Sequence, residues 1–108
     1  MTTVKLIKKG DSAIGFDVSG HSGYAENGSD IICAAVSSAV SFAETLINDS
    51  YHANAKVEVE PETARVRLIL SNEDTVCRKV LEAFERHMRE VASEYPKYIE
   101  IMEVQSNA

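Results

Sequence analysis

Apolar and polar residues alternate with period two from Val4 to Lys8 and again from Ala13 to Ser19, where Ile14, Phe16 and Val18 share one face. Period two predicts half-buried strands. The turn residues Lys9-Gly10-Asp11-Ser12 between the two runs make them a hairpin. From about Ile31 to about Asn48 the alternation gives way to a helical run that for its first three turns is apolar nearly all round, relieved only by Ser37, Ser38 and Ser41. A helix apolar on most sides is buried on most sides. It is therefore predicted to be the central helix, lying on a sheet and covered by a second helix or another subunit. Lys56–Glu60 and Ala64–Leu70 alternate again around the turn Pro61-Glu62-Thr63, with Ala64, Val66, Leu68 and Leu70 inward. Glu58 and Glu60 would face Arg65 and Arg67 across this hairpin, each pair favouring it by about 0.2–1 kcal/mol. Ser71-Asn72-Glu73-Asp74 is a helix-start signal, and Val76, Val80, Leu81, Phe84, Met88 and Val91 follow at helical spacing as far as Tyr95-Pro96. Lys97 to Val104 is a last strand, and Gln105 to Ala108 a fraying end.

The order ββαββαβ predicts an α+β fold of two layers, a largely antiparallel sheet with two helices. Neither repeat nor linker divides the chain, so residues 1–108 form one domain.

Composition narrows the function. The 108 residues are 44% hydrophobic and 26% charged, ordinary globular usage with an aliphatic core. Eleven basic against seventeen acidic residues leave a net charge of −6. That argues against nucleic acid and against anionic membranes as partners, and is compatible with a basic protein partner. The start Met1-Thr2-Thr3-Val4-Lys5 lacks the pattern of an export signal, and no uninterrupted apolar run approaches the roughly 18 residues of a membrane span. A cytoplasmic protein with two reduced cysteines is expected.

The chemistry-bearing residues gather between the second strand and the first helix. His21 follows the strand end, and Cys33 comes after eleven intervening residues in the first part of the helix. Gly20, Ser22, Gly23, Tyr24, Asn27, Gly28, Ser29 and Asp30 give the segment the composition of a polar loop. Asp30 is placed to cap the helix, which would put Cys33 in its first turn, where the N–H groups favour a thiolate. The charge of Asp30 would oppose that if it pointed at the sulfur. His21 can act as base for the thiol. Gly20 and Gly23 allow a close backbone approach or supply N–H groups for an oxyanion hole, with the N–H of Cys33 a second donor. Ser37 lies one helical turn beyond Cys33. Each has a plainer reading: a small buried thiol, a loop histidine, turn glycines, a serine for close packing. Cys77, among Val76, Val80 and Leu81, is read as structural. No set of ligands for zinc and no phosphate-binding glycine motif is visible, so no metal or cofactor is expected.

Gly20-His21-Ser22-Gly23-Tyr24-Ala25 followed by Gly28-Ser29-Asp30-Ile31-Ile32-Cys33-Ala34-Ala35-Val36-Ser37 resembles the signature of the bacterial ribosomal-processing cysteine protease family, Prp. The likeness extends to length and order of elements. It implies a small homodimeric α+β protease that removes the N-terminal extension of the twenty-seventh large-subunit ribosomal protein, cleaving after aromatic residues. By position it makes Cys33 the nucleophile and His21 the general base, with Asp30 and Ser37 in supporting places. The loop Ser22 to Ser29, including Tyr24 and Gly28, would move to admit the peptide. Two other classes fit the same residues: a non-enzymatic ribosome-associated protein binding the same partner, and a cysteine hydrolase or redox-sensing thiol protein of other substrate.

Overall fold

The computed structural model of the protein describes residues 1–20 and 27–106, with 27–30 described by backbone alone. Its elements are β1 (Thr2–Lys9), β2 (Ser12–Ser19), α1 (Asn27–Glu44), β3 (Lys56–Glu60), β4 (Arg65–Ile69), α2 (Thr75–Glu94) and β5 (Ile99–Gln105). The order is the expected ββαββαβ. The five strands form one sheet in the order β3-β4-β2-β1-β5. Three neighbouring pairs are antiparallel, while β1 and β5 run parallel, so the sheet is mixed.

Strand alternation decides what lies between sheet and helices. Val4 and Leu6 of β1 stand beside Val18 and Phe16 of β2, which in turn face Val66 and Leu68 of β4. Val4, Leu6, Phe16, Val18 and Leu68 are buried, and the Phe16 ring stacks on Phe84 of α2 with centroids 4.6 Å apart. From α1 come Ile32, Val36, Val40 and Ala43, and from α2 Cys77, Leu81, Phe84 and Met88. The helix-start signal resolves to Asp74, which caps α2, its carboxylate accepting from the N–H of Cys77 at 2.9 Å. Gly15 has no side chain because a Cβ there would lie 2.1 Å from the carbonyl oxygen of Leu68.

The face of the sheet away from the helices is held by charge. Asp17, only 6% exposed, accepts from Arg65 Nε at 2.9 Å and Nη2 at 2.7 Å, with Arg67 3.7 Å away. The hydrogen bonds from Arg65 hold the Asp17 carboxyl below its ordinary range despite burial. The cross-strand register Glu58 to Arg67 and Glu60 to Arg65 is the expected one, but Glu60 is 3.5 Å from Arg65, and Asp17 on β2 has the shorter contact. On the helical side Lys8 Nζ lies 2.6 Å from Glu85, tying β1 to α2 and raising the lysine's affinity for its proton.

Several expectations are corrected. Helix α1 begins at Asn27, so Asp30 is inside the helix and does not cap it, and Gly28 belongs to the helix and not to a loop. Asn, Ser and Asp suit a helix's opening positions, and an acid there complements the positive end of the dipole, so the helix extends back through them. α1 also continues through a wider turn, Thr45–Ser50, whose Ile47 is buried. Of the two covers expected for α1, the second helix is not the one: the inner stripe of α1 faces the core, whereas Ile31 is 68% and Phe42 67% exposed within the chain, because α2 lies alongside and not on top. Ile31–Ser50, at mean hydropathy 1.6, is long and apolar enough to cross a membrane by length and composition, a test that a soluble protein's core helix also passes. The run is not uninterrupted, since serines, Glu44 and Asp49 break it. Ala64 has φ 49° and is exposed, ending the Pro61–Thr63 turn instead of starting a strand. Gln105 does not fray: it closes β5, and its amide bonds both the N–H and the carbonyl of Gly10.

Candidate active site

Two elements end close together. β1 starts at Thr2, and β2, its antiparallel neighbour, finishes at Ser19 paired with Thr3. Gly20 follows with φ +136°, a conformation that side chains rarely adopt. A Cβ on Gly20 would stand 2.5 Å from both the carbonyl oxygen of Met1 and the Cα of Thr2. The glycine thus lets the end of β2 press against the start of β1. His21 is the next residue in the chain.

Cys33 enters this corner from α1. It is partly buried, and its Sγ lies 3.4 Å from Thr2 Oγ1. With α1 starting at Asn27, Cys33 is in the second turn and not the first. Two consequences follow. The field of the helix dipole fades beyond the first turn, so helix position alone does little for a thiolate here. The N–H of Cys33 is also committed to the helix ladder, which removes it as an oxyanion donor. The earlier start has a third effect: the backbone positions of Asp30, Cys33 and Ser37 follow the spacing i, i+3, i+7 and share one helix face. Ser37 is exposed.

His21, Ser22, Gly23 and Tyr24 lie outside the described residues. Gly20, Cys33 and Ser37 are described, as are the backbones of Gly28 and Asp30. Thr2 was missed. Its signal was available: it occupies the inward position of β1, in phase with Val4 and Leu6, and a polar residue at an inward strand position asks for a partner.

The two thiols differ sharply. Cys77 is 0% exposed, and burial, reinforced by Asp74, pushes its thiol up and keeps it protonated. Cys33 is accessible and ends a polar corner.

Comparison with known proteins supplies the family. A family model described as cysteine protease Prp matches residues 1–100. Among curated proteins none matches the chain. Among solved structures, the Streptococcus mutans protein SMU.848 is similar with TM-score 0.87 at 20% identity, over 98% of this chain and 96% of its own. The essential ribosomal processing protease Prp of S. aureus, crystallised with a substrate peptide, is similar with TM-score 0.88 at 15% identity, over 96% of this chain and 100% of its own. The same S. aureus protease with a covalently linked product peptide gives TM-score 0.84 at 16% identity, over 96% and 100%.

Proposed function

Because the chain belongs to the Prp family of cysteine proteases, we propose that it removes the N-terminal extension from the precursor of a large-subunit ribosomal protein, the twenty-seventh, with Cys33 as nucleophile and His21 as base. One observation supports the choice of thiol: of the two cysteines, Cys77 is sealed in the core while Cys33 is accessible at the strand-end corner. The S. aureus relative is named a ribosomal processing protease, which supports the substrate class.

The reaction is acyl transfer. His21 takes the proton of the Cys33 thiol, and the sulfur forms a bond to the scissile carbonyl carbon. The C–N bond then breaks, and the amine leaves with the proton held by His21. Water hydrolyses the thioester and restores the thiol. With the Cys33 N–H used by the helix, the oxyanion falls to backbone N–H groups of the Gly20–Gly23 segment. Asp30 and Ser37, one turn either side of Cys33 along α1, are in register to orient the site.

The enzyme acts as a homodimer in the cytoplasm. Support for the dimer is the apolar groove of about 820 Å³ between α1 and α2, lined by Ala35, Ala39, Phe42, Val76 and Val80 among others. An apolar face of this kind on a small protein fits burial by a second subunit.

The test is cleavage of the extended precursor by purified protein, with the new N-terminus mapped. Cys33→Ala and His21→Ala abolish cleavage while Cys77→Ala preserves it. Full activity in either of the first two variants overturns the assignment.

A further inference from the structure

We propose that Thr2 is a positioning residue for the nucleophile, its hydroxyl holding the Cys33 sulfur and donating a hydrogen bond to it when the thiolate forms. The inference rests on the reading of Cys33 as nucleophile.

Thr2 is 4% exposed, and a hydroxyl on a residue so buried needs a partner within the protein. Among the described residues that partner is Cys33 Sγ at 3.4 Å, an ordinary separation for a hydrogen bond involving sulfur. In the resting thiol either atom can donate. Once His21 has taken the thiol proton the sulfur can only accept, and the Thr2 hydroxyl, keeping its own proton, turns to donate. The contact therefore strengthens with the charge on sulfur, as hydrogen bonds to ionised groups do.

Thr2 is well placed to hold an atom still. Its N–H donates to the carbonyl of Tyr98 at 2.9 Å, and it pairs with Ile99 at the start of β5. The backbone of Gly20 closes on its other side. A β-branched side chain adds stiffness at χ1. A site whose cysteine lies past the first helical turn gains little from the helix dipole, so a fixed donor from the neighbouring strand supplies what the helix does not.

The experiment compares Thr2→Val, which keeps the shape and removes the hydroxyl, with Thr2→Ser, which keeps the hydroxyl. The first readout is the rate of Cys33 alkylation by iodoacetamide at neutral pH, followed by peptide mapping. The second is kcat and KM on the extended precursor. Thr2→Val should slow both alkylation and kcat by about tenfold with KM unchanged, and Thr2→Ser should restore both to within about twofold. Melting temperature should not fall in Thr2→Val, since valine suits a buried strand. If it does fall, Thr2→Ala against Thr2→Ser provides the same comparison. Alkylation and kcat unchanged on loss of the hydroxyl, or no rescue by serine, overturns the proposal. Alkylation reads the thiol without proteolysis, so the two claims separate: cleavage surviving in Cys33→Ala defeats the nucleophile assignment, whereas an unaffected Thr2→Val defeats only the role of Thr2.

Discussion

Replacing Gly20 by alanine tests the corner on which the site is built. A Cβ at Gly20 would be 2.5 Å from two backbone atoms, Met1 O and Thr2 Cα, where ordinary contacts are 3.4–4 Å. Backbone atoms cannot rotate aside, so the start of β1 must move by about 1 Å or the end of β2 must change course. The φ of +136° adds a second difficulty, for side chains rarely adopt it. Strain of that kind costs about 1–3 kcal/mol, and overpacking a similar amount. Together they predict a loss of about 2–6 kcal/mol of folding stability, measured by urea denaturation. The same displacement lengthens the 3.4 Å contact from Thr2 to Cys33 beyond useful hydrogen bonding. In the folded variant kcat on the precursor should therefore fall by about tenfold or more. Stability within about 0.5 kcal/mol of the wild type, with unchanged kcat, would refute the close packing of Gly20 on Thr2 as a determinant of the site.

The other predictions concern separate parts of the molecule. In native protein, iodoacetamide should label Cys33 and spare Cys77, and in denaturant it should label both; mass spectrometry of the digested protein distinguishes them. Asp17→Asn should lower the melting temperature at pH 7. The folded carboxyl has a depressed pKa, so its contribution is present above the unfolded value of about 3.9 and lost as pH falls through the lower folded value. The gap between variant and wild type should accordingly close on acidification below pH ~4, followed by thermal melts across pH. If the proposed dimer forms through the exposed apolar face of α1, Phe42→Glu, which places a charge there, should yield a folded monomer in analytical ultracentrifugation where the wild type is a dimer.

Much of the fold was legible because the helix and strand periods are distinct. The β1–β2 and β3–β4 hairpins and the Asp74 cap are local features with local signals. The parallel pairing of β1 with β5 was not, because it joins the two ends of the chain and depends on no turn. The burial of Asp17 is not legible, since alternation separates the faces of a strand without saying how covered each is. Its burial comes from arginines on a strand distant in sequence. The start of α1 and the cover of its outer face are not legible. Asn27-Gly28-Ser29-Asp30 reads equally as loop or first turn, and an apolar stretch does not reveal whether its outer face is covered by the same chain. At the candidate site, Cys33 and Gly20 are singled out by residue type and spacing alone. Thr2 needed the fold, because its contact with Cys33 spans 31 positions in sequence.

The most direct test of the account is to trap its intermediate. The protein is mixed with the extended ribosomal-protein precursor, quenched in acid within the first turnover, digested and analysed by mass spectrometry. The account predicts that the peptide containing Cys33 gains the mass of the acyl fragment through a thioester, and that the adduct is absent in Cys33→Ala. Cleavage without any adduct on Cys33, or an adduct on Cys77, would contradict it.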